Sequence, residues 1–128
     1  MNRIFSVAVI LLSLAGFSCA KVCSEPDTDA GIVGKWTFTE SLIDPGDGSG
    51  TWQAAPPNQS ITFNADGTFT GEVGLFLDYT RYEVLNDSAL KLIKADASFI
   101  TLQYKLQGNG LDINPQCFER CGFKFARQ

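Results

Sequence analysis

Gly34-Lys35-Trp36-Thr37-Phe38 alternates polar and apolar side chains, with Trp36 and Phe38 on one face and Lys35, Thr37 and Thr39 on the other. A period of two is the mark of a strand buried on one side. Continued, the alternation puts Glu40 and Leu42 on the Trp36 face. The strand stops at Asp44-Pro45-Gly46-Asp47-Gly48-Ser49-Gly50, and Ala54-Ala55-Pro56-Pro57 extends the loop.

The same pattern recurs to the C-terminus. A second strand holds Ile61 and Phe63, and a third holds Phe69, Gly71 and Val73. Between them Asn64-Ala65-Asp66-Gly67 has turn chemistry, with Gly67 free to take positive φ. A looser connection, Gly74-Leu75-Phe76-Leu77-Asp78, leads to strands expected from Tyr79 to Leu85 and from Ala89 to Lys94. Ile100 to Gln107 gives the cleanest alternation of all. Gly108-Asn109-Gly110 turns into a short strand with Leu111 and Ile113. The last strand, Gly122 to Arg127, turns Phe123 and Phe125 inward. No segment sustains a helical period. Eight short strands separated by turns predict an all-β, eight-stranded antiparallel up-and-down meander barrel, or a closely related sandwich.

In a meander the connections alternate between two ends. The longer ones follow the first, third, fifth and seventh strands, which puts them at one open end. Trp52, Phe76, Tyr79 and Phe118 lie in or beside them and are the candidate ligand-binding residues of a mouth. The other end holds the tight turns, and there the first strand's Trp36 should meet Arg127. The inward aromatics Trp36, Phe38, Phe63, Phe69, Tyr82, Phe123 and Phe125 either line a cavity or fill the barrel, which at eight strands is just wide enough to be packed by side chains or to hold one small ligand.

The N-terminus has its own logic. Met1-Asn2-Arg3 precedes an apolar run from Ile4 to Phe17, too short for the ~20 residues that span a bilayer. This is the pattern of a secretory signal, expected over residues 1–18. Cys19 follows directly, which resembles a bacterial lipoprotein signal and implies a lipidated Cys19; cleavage after Ala20 is the other reading. Residues 19–31 are polar and Pro/Gly-punctuated and read as a tether; residues 32–128 form the barrel domain. Outside the inner membrane, disulfides are allowed. Beyond Cys19 the chain has Cys23, Cys117 and Cys121, so one intrachain bond can form. Cys117–Cys121 is favoured, and a bond from Cys23 to either is the alternative.

Composition excludes much chemistry. There is no histidine, which removes the commonest general base and metal ligand and any Ser-His or Cys-His pair. The carboxylates Glu40, Glu72, Asp78, Glu83 and Glu119 show no spacing that selects two of them. The Asp44–Ser49 segment fails the spacing of a calcium loop. No catalytic residue, metal or cofactor is expected, and the chain reads as a non-enzyme. A net charge of −4 without a basic stripe excludes nucleic acid as a partner.

Gly34-x-Trp36 with an Arg in the last strand resembles the lipocalin superfamily. More closely, the order of Gly34-Lys35-Trp36, the Ile61–Phe69 hairpin and Cys117-Phe118-Glu119-Arg120-Cys121-Gly122-Phe123-Lys124-Phe125 resembles lipocalin-like domains of lipoproteins of the Bacteroidetes type. The resemblance implies a barrel floor made by Gly34, Trp36 and Arg127, a bacterial envelope location, as an outer-membrane lipoprotein facing the periplasm or the surface, and a small apolar or amphipathic ligand at the mouth. The alternative is a packed barrel that serves as a protein-interaction module, an inhibitor or an accessory subunit of a surface complex. The chain is shorter than typical lipocalins and lacks their helix after the barrel.

Overall fold

A computed structural model describes residues 31–128. The expected signal at residues 1–18, the lipid site Cys19, the third cysteine Cys23 and nearly all of the tether lie outside the described residues.

Nine strands form one antiparallel sheet: β1 (Gly34–Ile43), β2 (Trp52–Ala54), β3 (Ser60–Phe63), β4 (Phe69–Gly71), β5 (Tyr79–Asn86), β6 (Ala89–Lys94), β7 (Phe99–Gln107), β8 (Gly110–Pro115) and β9 (Cys121–Arg127). Eight run in the order β4-β3-β1-β9-β8-β7-β6-β5, and β2 pairs with the far end of β1. The sheet curls until β4 and β5 meet, where Thr68 and Arg81 make an isolated bridge. Tyr82 strengthens this seam: its N–H donates to Gly67 C=O at 3.0 Å and its hydroxyl to Asn64 C=O at 2.8 Å. The result is the expected meander, nearly closed into a barrel. Gly67 adopts φ 86°, and its N–H bonds Asn64 C=O across the β3–β4 turn.

Three features depart from the pattern read in the sequence. The first is β2. Its three residues pair with Glu40, Ser41 and Leu42 inside a stretch that reads as loop. The second is a bulge between Phe38 and Glu40 in the β1–β9 ladder. Phe38 pairs with Phe125 and faces inward. Beyond the bulge Ser41 pairs with inward Phe123, while Glu40 pairs with Lys124 and Leu42 with Gly122. One extra residue shifts side chains to the opposite face, so Glu40 and Leu42 lie on the outer wall, not on the Trp36 face. The third is a 3-10 turn at Gly74–Phe76, which drives Phe76 into the barrel.

The interior is filled. Trp36, Ile61, Phe63, Phe76, Leu90, Leu92, Leu102, Leu111 and Ile113 are fully buried. Phe38, Phe69, Tyr79 and Phe125 join the cluster with Ile32, Val73 and Tyr104, and Tyr82 and Phe123 pack against it. Ring contacts fall in two groups: in one Phe63 meets Phe69 at 5.0 Å and Tyr82 edge-on at 4.9 Å, and in the other Phe38 meets Phe125 at 5.3 Å. Tilted and edge-on pairs at this spacing add to the burial of the rings. The closed end is sealed by Trp36, whose indole N–H donates to Ile32 C=O at 2.9 Å. The Arg127 guanidinium lies over the indole and donates to Val33 C=O at 2.9 Å and Gly31 C=O at 2.8 Å. Gly34 makes room for it: with φ 135°, a Cβ there would stand 3.0 Å from Arg127 Nη1.

Candidate functional site: the open end

Four connections meet at the end opposite Trp36 and Arg127. They are residues 44–51, residues 73–78, residues 95–98 and residues 116–120; β2 and residues 55–59 run back down the wall, where Phe38 N–H bonds Gln59 C=O at 2.9 Å. The four expected mouth residues have three different fates.

Phe76 does not line an open mouth. It is fully buried and meets Phe123 edge-on at 5.3 Å and Phe125 at 6.0 Å. Gly71 allows this approach, because a Cβ on Gly71 would overlap the Phe76 backbone. Tyr79 is likewise buried in the core, with Lys94 Nζ 5.3 Å from its ring centroid. Both belong to the packed interior, and Phe76 stops the barrel like a plug.

Trp52 lies on the outer wall. Its ladder partner Leu42 is outward, and so is Gly122, whose missing Cβ would stand 2.8 Å from the indole Cη2. Lys124 Nζ sits 4.0 Å from the Trp52 ring centroid and bonds Glu40 Oε2 at 2.9 Å. The bulge that turned Glu40 and Leu42 outward thus built a second, external cluster, with Leu42 buried between its ladder partners Trp52 and Gly122.

Phe118 alone stands free. It is fully exposed, at the tip of the loop closed by the Cys117–Cys121 disulfide, whose Cα atoms are 6.0 Å apart. That loop docks on the first connection, where Asp44 N–H donates to Arg120 C=O at 2.9 Å. The Asp44 carboxylate organises the rest: it accepts the N–H groups of Gly46 at 2.8 Å, Gly48 at 3.1 Å and Gly50 at 3.2 Å. These donors, Gly46 foremost, hold its carboxyl below the usual aspartate value against the opposing effect of burial. The first acid of the Asp44–Ser49 segment is therefore occupied by its own backbone. Between the two loops runs an open groove of about 310 Å³ lined by Asp44, Gly46, Gly48, Phe118, Glu119 and Arg120.

The carboxylates considered for catalysis are dispersed. Glu40 pairs with Lys124, Glu83 with Lys91 at 3.3 Å and Asp78 with Lys94 at 3.4 Å. Glu72 accepts the Ser60 hydroxyl at 2.7 Å. Among the described residues no three of His, Cys, Asp and Glu are grouped to hold a metal ion.

Residues that the sequence reading passed over complete the rim. Ile43, Leu75, Leu77 and Phe99 border the same connections, and Ile43 is 72%, Leu77 61% and Phe99 58% exposed. Ile43 and Phe99 look locally like strand-end residues and Leu75 and Leu77 like loop residues, so only the parity of the meander together with the exposure of each side chain brings them to one rim. No family model, curated protein or solved structure matches the chain.

Proposed function

We propose that the protein is a non-enzymatic interaction module of a bacterial envelope, anchored by a lipid on Cys19 and working through the open end of a packed barrel. The observation that carries this reading is Phe76. A residue that plugs the mouth with none of its surface exposed leaves no entrance for a ligand, while the surrounding connections present apolar side chains to solvent. Contiguous exposed apolar area marks contact sites, and Ile43, Leu77, Phe99 and Phe118 share one end of the barrel. A small ligand at the mouth, the other reading of the sequence, would have to expel the Phe76 turn first.

The anchor fits the same picture. Gly31 is held at the closed end by Arg127, so a tether rising from Cys19 reaches the barrel at the pole opposite the rim. The lipid would then face the membrane with the floor and present the rim outward.

Native mass spectrometry of the full-length protein, mixed with lipid and metabolite extract from the cells that make it, tests the packed reading. A bare protein mass is expected. A retained mass of a few hundred daltons, competed by a small apolar dye, overturns it in favour of ligand carriage. Cell fractionation tests the anchor: Cys19→Ala should move the protein from the membrane to the soluble fraction, and unchanged membrane association would refute lipidation.

A further inference from the structure

The charges of the barrel are segregated. The four open-end connections carry Asp44, Asp47, Asp78, Asp96 and Glu119 against Arg120, with Lys94 at the end of β6 paired to Asp78. The strands show the reverse balance: Glu40, Glu83 and Asp112 are their only carboxylates among a larger set of Lys and Arg. The closed-end turns add just Asp66 and Asp87. One pole is thus acidic, and the same pole carries the exposed Ile43, Leu77, Phe99 and Phe118.

We infer that this acidic, apolar-studded pole docks a protein whose contact surface is basic and holds apolar sockets. The inference rests on the interaction-module reading and names the partner's chemistry. Phe118 is the anchor. It is wholly exposed, yet its loop is closed by the Cys117–Cys121 disulfide and bonded to Asp44 N–H through Arg120 C=O, so burying it in a partner costs little further ordering. Aromatic anchors on pre-ordered loops dominate interface energies. Glu119 beside it lines the groove shared with Asp44, where a partner's Lys or Arg side chain would lie along the Phe118 ring. Arg120, the one cation of that groove, is balanced there by Asp44 and Glu119.

Charge decides between occupants. An anionic lipid surface would be repelled by this pole, and so would a second copy of the same pole. A basic protein surface is attracted and steered onto it.

The test is photo-crosslinking in the cells that make the protein, with p-benzoylphenylalanine in place of Phe118 or Leu77 and, as a control, in place of Leu85. Leu85 is a half-exposed apolar residue at the other end of β5. Discrete protein adducts are expected from positions 118 and 77 and not from 85. Adding Glu119→Lys should cut the yield about fivefold, the effect of losing one exposed ion pair at the rim. A protein adduct whose yield ignores Glu119→Lys and added salt overturns the basic-partner inference and leaves the interaction module standing. Lipid adducts, or none at the rim from protein present at its normal level, overturn both.

Discussion

Arg127 and Trp36 are direct ladder partners, and the guanidinium carbon of Arg127 lies 4.2 Å from the Trp36 ring centroid. The pair joins the first and last strands and seals the floor in one contact. Trp36→Ala removes the largest fully buried side chain and should cost about 3–5 kcal/mol in urea unfolding. Arg127→Ala keeps the indole but strips its cover and leaves the Val33 and Gly31 carbonyls to solvent, costing about 1–3 kcal/mol. A Trp36→Ala loss below about a third of that range would place the organising contact elsewhere.

Phe76→Ala should convert the plugged barrel into one with an apolar hole at the mouth. Stability is expected to fall by about 3–5 kcal/mol, and the variant should bind an apolar dye that the parent ignores. Equal dye binding by both would mean that Phe76 does not guard the interior.

Trp52 rests on Gly122, so Gly122→Ala should push the indole off the wall. Trp36 is buried and stays where it is, so the change in emission reports Trp52: a red shift and easier quenching by acrylamide. An unchanged spectrum would contradict the outward register that follows the bulge.

The Asp44 carboxyl has a folded pKa below its unfolded value of about 3.9. Its contribution to stability is therefore present above that unfolded value and is lost as pH falls through the folded pKa. The unfolding midpoint of the parent should fall more steeply from neutral to about pH 3 than that of Asp44→Ala. Asp47, Asp66 and Asp96 shift in the same direction but are common to both proteins, so the difference isolates Asp44. Parallel curves would remove Asp44 as the organiser of its loop.

Cys117→Ser opens a short loop, and the chain-entropy estimate for so small a ring is about 2 kcal/mol. Reductant should lower the parent's unfolding midpoint to that of the variant and leave the variant unchanged.

The strands were legible because burial on one side writes a period of two into the chain, as in Ile100–Gln107, and because Gly67 and Gly108 mark turns that need positive φ. What escaped has a non-local cause. Leu42 and Glu40 look like a continuation of Trp36 and Phe38, and only pairing with β9 reveals the extra residue that turns them outward. Trp52 followed them to the outer wall for the same reason. β2 is three residues between Gly- and Pro-rich stretches, too short to show any period. Phe76 sits in a segment with no alternation, and its inward turn depends on space left by Gly71 on β4, while the rings it meets, Phe123 and Phe125, stand on β9, three places along the sheet. The rim at Ile43, Leu77, Phe99 and Phe118 needed both the parity of the meander and the exposure of each side chain.

The seam between β4 and β5 has a consequence for how the chain could be rewired. Its two strands are neighbours in sequence, joined by residues 72–78, while the described ends of the chain lie together in the middle of the sheet, where Gln128 N–H bonds Lys35 C=O at 3.0 Å. A circular permutant that linked Gln128 to Gly31 and opened the 72–78 connection would begin at β5 and finish at β4, keeping every ladder intact. Its new termini would fall on either side of the weakest junction, turning the barrel into a strip that folds from edge to edge and closes last.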